Sequence, residues 1–231
     1  CATDRLLFEE IFSQLQNNYL PCMEYIKHLR KDARLKEILK NQSPFVLQEQ
    51  ARLIDYLIDS IVGQQLSTKA AAVIVGRFRN MLPKKASLQD MLDLEVEALR
   101  AAGLSYQKAS YVHAAADFFL QQKITDAKLR KMSDATILET LTQIKGVGKW
   151  TVQMMLIFGM GREDVFAPDD LGIRQAMQDV YDLDHLQGKQ LVAEMELIAK
   201  HWQPYRSYAC LHLWKHKDDS KKSKSIKKPL K

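Results

Sequence analysis

Two adjacent carboxylates, Asp169 and Asp170, follow Pro168 and precede a helical pattern in which Ile173, Met177 and Val180 fall at i, i+4 and i+7. That spacing places both acids at a helix N-terminus, where the helix dipole favours their charged form. A carboxylate fixed there can stabilise positive charge developing on a nearby carbon, and can orient or deprotonate a water. It can equally serve as an ordinary helix cap. Upstream, Gly146-Val147-Gly148 forms a tight turn ahead of a second helical pattern, Trp150, Met154, Ile157 and Phe158 at i, i+4, i+7 and i+8. Glycine lets a foreign backbone approach closely, so this turn can present bare N–H groups at a helix N-terminus, a ready anion site. The plainer reading is a helix–turn–helix corner.

Other reactive residue types are sparse. Cys1, Cys22 and Cys210 are odd in number and far apart, which excludes a disulfide framework and points to a reducing compartment. They are also too few for a four-cysteine iron–sulfur site. The six histidines show no ligand spacing; His212 and His216, four apart with no acid between them, read as a satisfied surface pair. Net charge is +6, which invites an anionic partner, but residues 215–231 hold eight of the 34 basic and two of the 28 acidic residues, leaving a neutral body with 26 of each. The end KKSKSIKKPLK reads as a basic, disordered tail that adds nonspecific attraction to phosphate.

The elements that must position these groups read as helices. Leu7, Ile11 and Leu15, then Tyr25, Ile26 and Leu29, mark apolar faces over residues 5–40, and Asn41-Gln42-Ser43-Pro44 breaks the pattern. Ile54, Leu57, Ile58 and Ile61 define a long helix, which Gly63-Gln64-Gln65-Leu66 interrupts before Ser67 or Thr68 caps the next. A single capped helix is expected over 87–101, another from the Gly103 turn to Leu120, one from Asp134 into the glycine turn, one over 188–201, and a last one from Pro204 to near Trp214. Alternating strand patterns are absent. The expected fold is all-α: two helical lobes with an active-site cleft between them. No apolar run approaches the ~20 residues of a membrane span. Asp4, Arg5, Glu9 and Glu10 interrupt any signal peptide. The chain begins with Cys1, so residue 1 need not be the native start.

The stretch KGVGKWTVQMMLIFGMGREDVFAPDDLGIR, together with Trp202-Gln203-Pro204-Tyr205-Arg206-Ser207-Tyr208-Ala209, resembles the helix-hairpin-helix DNA glycosylase superfamily, within it the 3-methyladenine DNA glycosylase II type. The resemblance runs from about residue 45 to about residue 215. It implies a monofunctional enzyme of base excision repair, acting as a monomer on double-stranded DNA, flipping alkylated purines such as 3-methyladenine and hydrolysing their glycosidic bond. Asp170 would be the catalytic carboxylate and Asp169 a cap or supporting acceptor. Gly146, Val147, Gly148, Lys149 and Thr151 would grip DNA. Gln65, with Gln64 or Leu66 as neighbours, would wedge into the gap left by the extruded base. Trp214 would stack on that base, a cationic purine favouring the indole through cation–π attraction; its alternative use is to anchor the last helix. Trp150 and Tyr106 would line the pocket, or Tyr106 would be a half-buried core residue.

Strand-cleaving cousins carry a lysine nucleophile where this chain has Trp150, with Lys149 one step earlier, so water is the expected nucleophile. No metal or organic cofactor is expected, with allowance for a monovalent cation on the hairpin carbonyls. The expected organisation is N-terminal helices over 1–45, a glycosylase core over 46–215 and the basic tail over 216–231. The protein would work in the cytoplasm or nucleoid of a prokaryote, or in the nucleus of a eukaryote. Two rival readings are a non-catalytic helix-hairpin-helix module and an oxidised-base glycosylase; Trp150 and the missing cysteine cluster disfavour the second.

Overall fold

A computed structural model describes residues 23–226, and among these every regular element is helical. Of the helices expected over residues 5–40, the apolar face of Leu7, Ile11 and Leu15 lies outside the described residues, as do Cys1, Cys22 and residues 227–231. The described chain divides into two compact units, Gln48–Gly161 and residues 23–47 with 162–226. One break, at 47/48, falls close to the expected 45, and residues 162–226 join residues 23–47 in a discontinuous second unit. Its N-terminal segment joins the C-terminal helices, because Tyr25 stacks on Tyr208 at 3.9 Å and Asp32 accepts from Trp202 Nε1 at 3.0 Å.

In the first unit, α3 (Leu53–Gly63) runs into α4 (Thr68–Asn80), followed by α5 (Leu88–Leu92), α6 (Val96–Ala102), α7 (Tyr106–Gln121), α8 (Asp126–Lys131), α9 (Asp134–Leu141) and α10 (Lys149–Met154). The helix starts follow from local chemistry: the Ser67, Ser105 and Ser133 hydroxyls accept from Ala70, Lys108 and Thr136 backbone N–H groups. The single helix expected over 87–101 is two, since a capping box of Ser87 and Asp90 starts a short turn that ends at Asp93. Leu57, Ile58, Ile61 and Val62 of α3 are fully buried, each contributing ~1.5–3 kcal/mol of apolar burial. Ala109, Ala115 and Ala116 keep the buried face of α7 narrow. Beyond Met154 the helix continues as a π-helical stretch, Met155–Gly159, where Met160 N reaches back to Met155 O at 2.9 Å.

The second unit holds α1 (Met23–Leu29), α2 (Ala33–Leu39), α11 (Leu171–Tyr181), α12 (Gly188–Lys200) and α13 (Arg206–Ile226). Asp32 caps α2 and accepts from Tyr181 Oη at 2.9 Å as well as from Trp202, tying α2 to α11. Helix α13 runs twelve residues past Trp214, so residues 216–226 continue the helix where a disordered tail was expected. Lys215 and Asp219, paired at 2.5 Å at i, i+4, and His216 against Asp179 at 3.3 Å extend it. No helix among the described residues is long and apolar enough to cross a membrane.

Candidate active site

Asp170 is the N-cap of α11 and only 7% exposed. Its Oδ1 accepts from Ile173 N at 2.8 Å and from the Trp214 indole Nε1, also at 2.8 Å. Two donors of different origin, a helix start and a side chain of α13, thus converge on one oxygen and fix the carboxyl plane. Gly172 makes the approach possible. A Cβ there would sit 3.0 Å from both Asp170 Oδ1 and Trp214 Cδ1. Of the two uses expected for Asp169, cap or supporting acceptor, it takes the second kind of contact, accepting from Arg174 at 2.8 Å, and the cap falls to Asp170 itself.

The segments that carry Asp170 and Trp214 are laced together at their bases. Arg206 grips the Asp164 carboxylate through Nε at 2.7 Å and Nη2 at 3.0 Å. The fully buried Ser207 hydroxyl donates to Arg162 O at 2.6 Å and accepts from Val165 N at 2.9 Å. One turn before Trp214, Cys210 is fully buried, and burial above all pushes its thiol up to about 12, so it offers no nucleophile. His212 is also wholly buried, which corrects its reading as half of a surface pair. Its ring lies 2.7 Å from Gln42 Oε1 and against Phe45, and burial pulls its pKa down to about 3. It is a core histidine.

In the first unit the glycine turn joins α9 to α10. Val147 N bonds Ile144 O at 3.0 Å, and Gly146 takes φ +88. A Cβ on Gly146 would lie 2.2 Å from Tyr111 Cδ2, so Tyr111 is the floor of the turn. Gly148 needs no such freedom: its φ is −94 and nothing stands within 4 Å of a Cβ built there. No side chain caps α10. Two of the expected DNA-contacting residues are buried. The Val147 side chain points into the core and Thr151 is 5% exposed, so only backbone at Val147 can meet a ligand. Lys149 is exposed, whereas Trp150 is half-buried.

The interruption after α3 singles out one residue. Gln65 is exposed with φ +59, a conformation few non-glycine residues adopt, while Gln64 and Leu66 are half-buried. Gln64 turns inward, donating through Nε2 to Gly146 O at 3.1 Å. Tyr106 is 59% exposed, which removes its core reading; Arg100 covers one ring face at 4.3 Å and Glu97 accepts from its hydroxyl. Among the described residues no cluster of three His, Cys, Asp or Glu could hold a metal ion. Sequence reasoning missed Gly172, Gln64 as a tie and Tyr111 as a floor. Only Gly172 left a trace, a glycine in the first turn after the paired acids.

Residues 58–204 match the model of the HhH-GPD superfamily, base excision DNA repair proteins. The chain is 32% identical over 185 residues to DNA-3-methyladenine glycosylase 1 of Schizosaccharomyces pombe, covering 79% of this chain and 80% of that one. A DNA-3-methyladenine glycosidase structure from Bacillus halodurans superposes with a TM-score of 0.75 at 29% identity, covering 86% and 91% of the two chains. The S. pombe 3-methyladenine DNA glycosylase bound to abasic DNA superposes with a TM-score of 0.73 at 30% identity, covering 84% and 96%.

Proposed function

This chain belongs to the HhH-GPD superfamily of base excision DNA repair proteins, and on that premise we propose that it excises alkylated purines such as 3-methyladenine from double-stranded DNA by hydrolysing the N-glycosidic bond. The observation that carries the catalytic part of this reading is the Trp214–Asp170 hydrogen bond, which holds a buried carboxylate rigid at a helix start. As the C1′–N bond breaks, its electron pair goes to the cationic base, and positive charge grows on the sugar. Asp170 stabilises that charge and orients the water whose oxygen forms the new bond to C1′, the proton passing to the carboxylate or to solvent. An already cationic base leaves as a neutral molecule, so the site needs no partner acid.

The hairpin supplies the grip. Backbone amides around Gly146, Gly148 and Lys149 meet phosphate, and the exposed tip Gln65 fills the gap left by the flipped base. Trp214, Trp150 and Tyr106 are the candidates for stacking on the base. Trp150 stands where a lyase needs an amine, so the strand stays intact after excision. No organic cofactor enters the reaction. A monovalent cation on the hairpin carbonyls would brace the turn without joining the step. The protein acts as a monomer.

Release of free 3-methyladenine from methylated duplex DNA, quantified by chromatography, tests this reading. Borohydride added during the reaction should trap no protein–DNA adduct. Tight duplex binding with no base released would support the rival, a non-catalytic hairpin module.

A further inference from the structure

Gln64 lies beneath the tip assigned to the wedge, yet its side chain belongs to the hairpin. Nε2 donates to Gly146 O at 3.1 Å and to Thr151 Oγ1 at 3.4 Å. A carbonyl can only accept, so the amide nitrogen must be the atom that faces it. Gly146 is the left-handed apex of the hairpin, and Thr151 lies in the first turn of α10. One amide therefore holds both sides of the turn.

The loop on the other side is equally defined. Lys108 Nζ donates to Val62 O at 2.8 Å and fixes the end of α3. Leu66 N bonds Gly63 O at 3.3 Å, closing the tight turn that projects Gln65 outward at φ +59. Below the hairpin, the Tyr111 ring fills the space beside the Gly146 Cα, and Gln107 Nε2 donates to its hydroxyl at 2.6 Å. Tip and hairpin thus share supports on α7, and Gln64 bonds the hairpin directly from the loop.

We infer that Gln64 is a positioning residue that couples the hairpin's hold on phosphate to the Gln65 tip, so that gripping the backbone aims the wedge at the base stack. This rests on the assignment of Gln65 as wedge and of the hairpin as grip. Gln64 touches no reacting atom. Its loss leaves the hairpin able to bind but lets the tip wander, and a misplacement of ~1 Å at such a site can cost ~100-fold in rate. The residue type follows from the role: the tie needs an uncharged donor of this length, and glutamate would set a carboxylate against the Gly146 carbonyl.

The test uses the full chain and two duplexes, one with 7-methylguanine opposite cytosine and one with it opposite a tetrahydrofuran residue, which leaves no partner base to displace. Gln64→Met keeps the volume and removes the donor; Gln64→Ala is the second variant. Both are expected to bind undamaged duplex within threefold of wild type. Single-turnover excision should fall at least tenfold on the paired lesion and less than threefold on the unpaired one. Equal losses on both duplexes, or no loss on either, would overturn the coupling role. Gln65→Ala separates this from the underlying assignment. If Gln65→Ala shows the paired-only loss and the Gln64 variants do not, the coupling alone fails. If Gln65→Ala is indifferent to pairing, the wedge assignment fails and takes the coupling with it.

Discussion

Trp214 and Asp170, 44 positions apart, are joined by a 2.8 Å hydrogen bond from the indole Nε1 to carboxylate Oδ1. The contact gives Trp214 a task besides the proposed stacking, because its N–H fixes the group proposed to stabilise the sugar cation. Trp214→Phe removes that donor and leaves much of the ring. A hydrogen bond to a charged group is worth ~1.5–3 kcal/mol, so excision should fall by roughly tenfold or more. If fixing Asp170 dominates, single-turnover rates on cationic and neutral lesions fall alike. A loss confined to cationic lesions would show that stacking dominates.

Asp170→Asn separates catalysis from capping. Asparagine caps helices about as well as aspartate, so α11 and the melting temperature should be preserved. Excision should fall by about 10²–10⁴-fold, the span of a positioned acid–base group, while an abasic duplex still binds. Turnover within a few fold of wild type would remove Asp170 from the mechanism.

Gly172→Ala sets stability against activity. Alanine is favoured over glycine in a helix by ~1 kcal/mol. Its Cβ, however, would press on Trp214 Cδ1 and Asp170 Oδ1 at 3.0 Å. The indole must shift by a few tenths of an ångström, lengthening the bond to Asp170. Excision should drop at an unchanged or slightly raised melting temperature, measured on the same preparation.

The two hairpin glycines should behave differently. Gly146→Ala meets both a φ of +88 and the Tyr111 ring at 2.2 Å, so the turn must rearrange and duplex binding should weaken on every sequence alike. Gly148→Ala has open space and an ordinary φ, and its affinity should stay within about threefold, since no strain of the left-handed kind arises. Fluorescence-anisotropy titrations of both variants check the contrast.

His212 makes the second unit acid-sensitive. Burial lowers its pKa to about 3 in the folded state, whereas an unfolded histidine titrates near ~6.5. Its contribution is complete above pH ~6.5 and is lost as pH falls towards 3, at ~1.4 kcal/mol per pH unit, because only the unfolded chain takes up the proton. His212→Gln should flatten the change in melting temperature between pH 6.5 and 5.5, a window above most carboxylate titration.

Much of this protein is legible from its sequence alone, wherever the residues that matter lie close together in the chain. Serine caps at 67, 105 and 133, the periodic apolar faces and the paired acids after Pro168 each depend on neighbours within a turn or two, so the all-α fold and the place of Asp170 can be read directly. The glycine turn and the paired acids are legible for the same reason, lying in one continuous stretch within the residues that match the HhH-GPD model. Tertiary structure alone decided that Asp170 rather than Asp169 is the cap, that Trp214 reaches it over Gly172, that Gln64 faces Gly146 across 82 positions, and that His212 is buried. Such pairings have no period. They arise when packed helices bring distant segments within about 3 Å, and a hydrogen bond that short is set by where backbones come to rest.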